Sequence, residues 1–208
     1  MKQHLIICSK YPRAGYSKTR LIVDIGAEKA ALLQKEMTEK LITEADLLFQ
    51  ETAISLSLSY SGASEPIMYK WLGDRSFLAQ KGDCLGSRME HAFASIYAKG
   101  YEDVIVVGSD VPALDSNLLQ KAFNELEKYD TVIGPTEDGG YYLIGMKKDV
   151  FCNLAKNLFH NIPWSTEMVY PISAKRIFDS GYTLFTLPLL RDIDHYADLL
   201  YAQEKGYI

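Results

Sequence analysis

The chain has 208 residues, 48% of them hydrophobic and 24% charged, and a formal net charge of -5. That length suits a single domain spanning 1–208, and the negative balance gives no electrostatic reason to expect nucleic acid or an anionic membrane as a partner. Cys8, Cys84 and Cys152 are widely spaced and form no Cys-x-x-Cys pair, so neither a disulfide framework nor a thiolate zinc site is indicated.

The apolar start Leu5–Cys8 is too short for a signal-peptide core and no apolar run approaches membrane-spanning length, so a cytoplasmic protein without membrane insertion is expected. His4–Ser9 reads as a short buried strand. The loop behind it, Lys10–Arg20, carries Lys10, Arg13, Lys18 and Arg20 around a single Gly15. A phosphate cradle and a solvated basic turn both fit such a loop. It is not a Walker A loop, because Lys18 follows Ser17 rather than Gly, and no Gly-x-Gly-x-x-Gly supports a nicotinamide-binding domain.

Ala27–Phe49 is amphipathic, with Ala30, Leu33, Met37, Leu41, Ala45 and Leu48 stepping by three or four. Ala53–Tyr60 alternates apolar residues with Ser55, Ser57 and Ser59, which predicts a strand with one wetter face near a sheet edge. Glu65–Leu72 suits a short helix, and Phe77–Asp83 reads as irregular. A further helix carries Met89, Phe93 and Ile96 on one face and stops at Gly100. Arg88 lies in its first turn, where a cation opposes the helix dipole; a phosphate or ribose contact and an ordinary surface role both fit.

Val104–Val107 places four β-branched residues in a row, as in a strand buried on both faces of a parallel sheet. The chain then turns through Gly108-Ser109-Asp110-Val111-Pro112. A carboxylate at the carboxyl end of such a strand stands where open α/β sheets bind ligands, although Asp also serves as a simple turn residue. Asp115 is placed to cap a helix with apolar positions Leu118, Leu119, Ala122, Phe123 and Leu126. Thr131–Pro135 and Tyr141–Met146 read as strands joined through Thr136–Gly140. There Gly139-Gly140 permits close ligand approach, and Asp138 alternatively serves as a hairpin turn residue. Ser165 is a candidate cap for a helix reaching Ser180, with Pro171 in its first turns. Tyr182–Leu187 is the last strand, and a terminal helix from Tyr196 to Lys205 is expected to cover the sheet. Asp192 and Asp194 point to one side if their segment is extended.

A basic loop and carboxylates at separate strand ends, Asp110, Asp138 and Asp192/Asp194, suit a nucleotide carrying Mg²⁺ or Mn²⁺. His4, His91, His160 and His195 show no ligand spacing, and Trp71 and Trp164 suit a core better than a base-stacking platform.

Six segments carry a family resemblance. They are Pro12-x-x-Gly15-x-x-Lys18-Thr19-Arg20-Leu21, Gly82-Asp83-x-Leu85-Gly86-x-Arg88-Met89 and Gly108-Ser109-Asp110-x-Pro112, followed by Gly134-Pro135-x-x-Asp138-Gly139-Gly140-Tyr141-Tyr142-Leu143, Pro163-Trp164-Ser165-Thr166 and Arg191-Asp192-x-Asp194-x-x-x-Asp198-Leu199. In this order they resemble the bacterial family of uncharacterised glycosyltransferase-A-like proteins related to nucleotide-diphospho-sugar transferases. The resemblance implies a three-layer α/β/α sandwich with a mostly parallel central sheet. It also implies a Mg²⁺- or Mn²⁺-dependent transferase acting on a nucleotide-sugar, with an unidentified acceptor and with a homodimer left open. Nucleotidyl transfer, of the guanylyltransferase kind, and non-catalytic nucleotide binding are the alternatives. By the same resemblance Asp110 and Asp194, with Asp192 beside them, are metal-ligand candidates, and Asp138 joins Asp110 and Asp194 as a catalytic candidate. Lys10, Gly15, Lys18, Thr19, Arg20, Arg88, Ser109, Gly139, Gly140, Tyr141 and Trp164 are candidates for binding the nucleotide or sugar. Two departures are visible: the nucleotidyltransferases' Gly-rich first loop has a single Gly here, and the glycosyltransferases' Asp-x-Asp is reduced to Ser109-Asp110-Val111.

Overall fold

The computed structural model describes residues 2–208, apart from the side chains of residues 50 and 51. Its sheet is built from β1 (Gln3–Lys10), β2 (Ser55–Ser61), β3 (Phe77–Ala79), β4 (Asp103–Gly108), β5 (Thr131–Pro135), β6 (Tyr141–Lys147) and β7 (Leu184–Thr186). The spatial order is β3-β2-β1-β4-β6-β5-β7, with β6 alone running against its neighbours. The helices are α1 (Ile22–Ile25), α2 (Ala27–Glu51), α3 (Glu65–Leu72), α4 (Leu85–Tyr97), α5 (Ser116–Lys128), α6 (Lys148–Phe159), α7 (Val169–Asp179) and α8 (Tyr196–Glu204).

The near-continuous apolar runs of β1 and β4 are explained by helices on both faces of the sheet. Leu5, Ile7, Ile105 and Val107 face a core shared with Leu41 and Leu48 of α2 and Phe123 and Leu126 of α5. The alternate residues Ile6, Val104 and Val106 face Phe93 and Ile96 of α4 and Leu154 and Phe159 of α6. The result is the expected α/β/α sandwich. No helix among the described residues is long and apolar enough to cross a membrane.

Several expectations need correction. β2 does lie near the sheet edge, one place in from three-residue β3, but it has no wet face, because Ser57 and Ser59 are buried. Ser57 is tolerated there because its hydroxyl bonds His4 Nε2 at 2.9 Å and Ser76 Oγ at 2.9 Å. The stretch read as irregular holds the three residues of β3. α6 is absent from the sequence reading, although Val150, Leu154 and Leu158 step by four. Ser165 is not a cap; it sits at φ 65°, and α7 starts four residues later with Pro171 in its first turn. α8 packs Leu199 and Ala202 on Leu33 and Met37 of α2 rather than on the sheet.

β1 and β4 lie side by side, Cys8 opposite Gly108, so the loops leaving them share one rim. The connection from β1 goes to β2 on one side, and β4 lies on the other. That divergence opens a crevice outside the carboxyl ends of the strands.

Candidate functional site

The crevice is a cleft of about 590 Å³. Its floor is a buried polar network: Ser9 Oγ bonds Thr38 Oγ1 at 2.8 Å, and Gln34 Nε2 donates to Thr38 Oγ1 at 3.2 Å and to Ser109 Oγ at 3.1 Å. Ser9, Gln34 and Ser109 line the cleft. The sequence signal for Gln34 and Thr38 is plain in retrospect, because both polar residues interrupt the buried stripe of α2 between Leu33 and Leu41.

Asp110 follows Ser109 off the end of β4. Asp194 reaches it through backbone pairing that no local pattern announces. Leu187 N–H donates to Ile133, Leu190 N–H to Pro135 and Ile193 N–H to Asp110, at 2.8, 3.2 and 3.0 Å. The segment therefore extends β7 along β5 and then crosses to the turn after β4. Asp198 Oδ2 holds the end of this strap by accepting from the N–H groups of Asp194 and His195, at 3.2 and 2.7 Å.

Lys18 closes the site from the other side. It sits at φ 46° and ψ 48°, a left-handed conformation that a non-glycine residue adopts at a cost, just before a single 3₁₀ turn, Thr19–Leu21, anchored by fully buried Leu21. Its side chain is 5% exposed, and the ammonium lies 3.1 Å from Asp110 Oδ1 and 3.4 Å from Asp194 Oδ1. It also donates to the Ile193 carbonyl at 2.5 Å. Burial pushes the Lys18 pKa down, but the charges and hydrogen bonds of Asp110 and Asp194 outweigh it and hold the group above its ordinary value. Arg20 pairs with the other oxygen of Asp194.

Of the candidate residues, Lys10, Lys18, Thr19, Arg20, Arg88, Ser109, Asp110, Tyr141 and Asp194 line the cleft. Lys10 donates to the Tyr16 carbonyl at 2.7 Å, and Arg88 Nε donates to the Gly82 carbonyl at 3.0 Å. Gly15, Asp138, Gly139, Gly140, Trp164 and Asp192 are not part of the lining. Gly15 forms an exposed turn. Asp138 behaves as the turn residue, accepting from Thr136 Oγ1 at 2.5 Å and Gly140 N–H at 2.9 Å. Gly139 approaches the chain's own backbone at Glu167 rather than open cleft. Half-buried Trp164 meets Tyr141 edge to face at 6.4 Å and packs against Gly86 of α4. Sequence reasoning missed Cys8, Gln34, Ser61, Gln80 and Tyr142 in the lining.

Asp192 lies just outside. Burial, then the charges of Asp138 and Asp194, raise its carboxyl to about 6. A carboxyl whose folded pKa is raised weakens the fold once ionised, so stability increases as pH falls through about 6 toward the unfolded value near 4. Asp192→Asn is therefore expected to raise the melting temperature at pH 7, with the difference from wild type vanishing near pH 4. A melting difference that stays constant across that range would remove Asp192 as its source.

Among the described residues no three His, Cys, Asp or Glu side chains converge as a complete metal cage. The donors at hand are the carboxylates of Asp110 and Asp194 with the Ile193 carbonyl, all hard oxygens gathered around one ammonium. This set fits Mg²⁺ or Mn²⁺, which are commonly held by one or two carboxylates together with substrate phosphates.

Comparisons bear on the fold and the family. Residues 44–166 match a family described as an uncharacterized protein conserved in bacteria, DUF2064. A crystal structure provisionally described as a nucleotide-diphospho-sugar transferase from Desulfovibrio desulfuricans G20 is 34% identical. It superposes with a TM-score of 0.90 over 99% of this chain and 89% of that one. CMP:2-keto-3-deoxy-manno-octonic acid synthetase complexed with CTP matches at 11% identity and TM-score 0.61, over 98% of this chain and 100% of that one. Rv0371c from Mycobacterium tuberculosis H37Rv, complexed with manganese, matches at 16% identity and TM-score 0.56, over 98% and 99%. These last two show a shared fold. No curated protein matches the chain.

Proposed function

The chain belongs to the bacterial family DUF2064, and we propose that it is a metal-dependent transferase that moves the sugar of a nucleotide-sugar to an acceptor. The observation that carries this reading is the pairing of Asp110 and Asp194 across one cation position, inside a cleft also lined by Lys10, Arg20 and Arg88. Two close carboxylates facing several cations suit a diphosphate bound with a divalent metal, and suit a neutral or purely apolar ligand poorly.

In this reading Asp110 and Asp194 would hold Mg²⁺ or Mn²⁺, which when bound would supply charge neutralisation at the diphosphate oxygens. Lys10, Lys18, Arg20 and Arg88 take the remaining phosphate charge. Thr19 and Ser109 supply hydroxyls on the same walls. Asp192 adds negative charge beside Asp194, and Asp138 keeps its turn role through the Thr136 and Gly140 hydrogen bonds. As the acceptor oxygen bonds the anomeric carbon, the bond from that carbon to the diphosphate breaks, and the acceptor proton passes to solvent water.

Fold likeness to a synthetase complexed with CTP favours a second reading, nucleotidyl transfer onto a sugar phosphate. The released small molecule separates the two. Slow hydrolysis, with water as acceptor, bypasses the unidentified natural acceptor. Phosphorus NMR of nucleotide-sugars incubated with the protein and Mn²⁺ is expected to show nucleoside diphosphate. Pyrophosphate released from nucleoside triphosphates and sugar phosphates would replace the first reading with the second.

A further inference from the structure

The position expected for a metal is filled by a side chain of the protein itself. Lys18 Nζ has three oxygens around it, from Ile193, Asp110 and Asp194, at 2.5, 3.1 and 3.4 Å. Only 5% of the Lys18 side chain is exposed. A lysine serving only to meet phosphate would extend its flexible stem into the open cleft; this one is turned inward from a left-handed backbone.

Charge balance governs how a metal could enter. Two carboxylates against Lys18 and Arg20 form a neutral set. Divalent ions lie about 2.0–2.6 Å from carboxylate oxygens, so a metal bridging Asp110 and Asp194 takes the volume the ammonium holds. Two cations sharing that volume would repel strongly in a partly desolvated site. Nucleotide phosphates supply the negative charge that can receive the displaced ammonium, and Arg20 and Arg88 in the same lining mark an anion-compatible wall.

We propose that Lys18 is a resident cation at this site: it holds Asp110 and Asp194 together in the ligand-free protein and yields its place to the divalent metal as its ammonium passes to incoming phosphates. The proposal rests on the metal-site reading above. It makes metal binding without nucleotide weak by construction, because the metal must first evict an internal competitor.

The test is Mn²⁺ binding in the absence of nucleotide, read from the paramagnetic resonance signal of free Mn²⁺. Lys18→Met removes the charge, and Lys18→Gly removes it while suiting the left-handed backbone, so that one variant at least stays folded. Both are expected to bind Mn²⁺ about tenfold or more tightly than wild type, because an internal competitor is gone. The gain is expected to disappear when Asp110→Asn is added to Lys18→Gly. A folded Lys18→Gly protein with unchanged or weaker Mn²⁺ affinity overturns the proposal. If Asp110→Asn alone then abolishes binding of Mn²⁺ with nucleotide, the metal site stands and only the resident-cation role falls. If Asp110→Asn binds Mn²⁺ with nucleotide as wild type does, the metal-site reading falls and takes this proposal with it.

Discussion

Asp110→Asn is expected to eliminate Mn²⁺-dependent nucleotide binding while leaving the fold intact. The substitution keeps the side chain's shape and leaves a carbonyl oxygen to accept from Lys18, so the turn after β4 loses charge rather than volume. The Asp110 side chain is 46% exposed, and the buried Lys18 ammonium keeps the Asp194 carboxylate and the Ile193 carbonyl as partners, so the cost to folding is small. Toward a divalent cation the loss is large, since one of the two carboxylates is gone. Removing one partner of a close charge pair costs about 3 kcal/mol or more, a fall of at least ~100-fold in affinity. Calorimetric titration with a nucleotide-sugar and Mn²⁺, alongside a melting curve, measures both halves of the expectation. Unchanged affinity, or a collapsed melting curve, would contradict it.

Gly139→Ala carries the largest expected effect on stability. Gly139 sits at φ 85°, and an added Cβ would overlap the backbone of Glu167, which cannot rotate aside as a side chain can. Left-handed strain of about 1–2 kcal/mol adds to an overpacking cost of about 1–3 kcal/mol. Gly15 is the internal control: it has φ 79°, and no atom lies within 4 Å of the place a Cβ would take, so Gly15→Ala meets the strain alone. Chemical denaturation is expected to place Gly139→Ala well below Gly15→Ala. Equal losses would show that the approach of Glu167 to the turn has no energetic weight. The Gly139 carbonyl also accepts from Tyr170 N–H at 2.8 Å, which ties this turn to α7.

The strands and most helices were legible because burial imposes a period on the sequence. Val104–Val107 could only be a doubly covered strand, and Asp115 did cap α5, accepting from Leu118 N–H at 2.8 Å. Elements whose existence depends on partners were not legible: three-residue β3 is a strand because β2 offers it an edge. The site divides in the same way. Asp110 is visible because one strand delivers it. Its meeting with Asp194 depends on the backbone pairing of residues 187–193 with β5 and with Asp110 itself, contacts between distant segments. Lys18 was legible as a cation in a basic loop, but its inward turn depends on a backbone conformation that lysine does not advertise. Asp138 and Gly139 show the reverse hazard: an Asp-Gly-Gly turn has the composition of a ligand loop, and here its atoms are engaged by their own chain.

The proposed function stands or falls with one metal position between Asp110 and Asp194 that serves a nucleotide diphosphate in the cleft. The most direct measurement is a thermal-shift screen of wild-type protein against nucleoside triphosphates and nucleotide-sugars, each with and without Mn²⁺. Ligands that bind only the folded state raise its melting temperature by mass action. The expected result is stabilisation by nucleotide-sugars of one base, dependent on Mn²⁺. Equal melting temperatures across the panel with Mn²⁺ present, at ligand concentrations in the millimolar range, would contradict it.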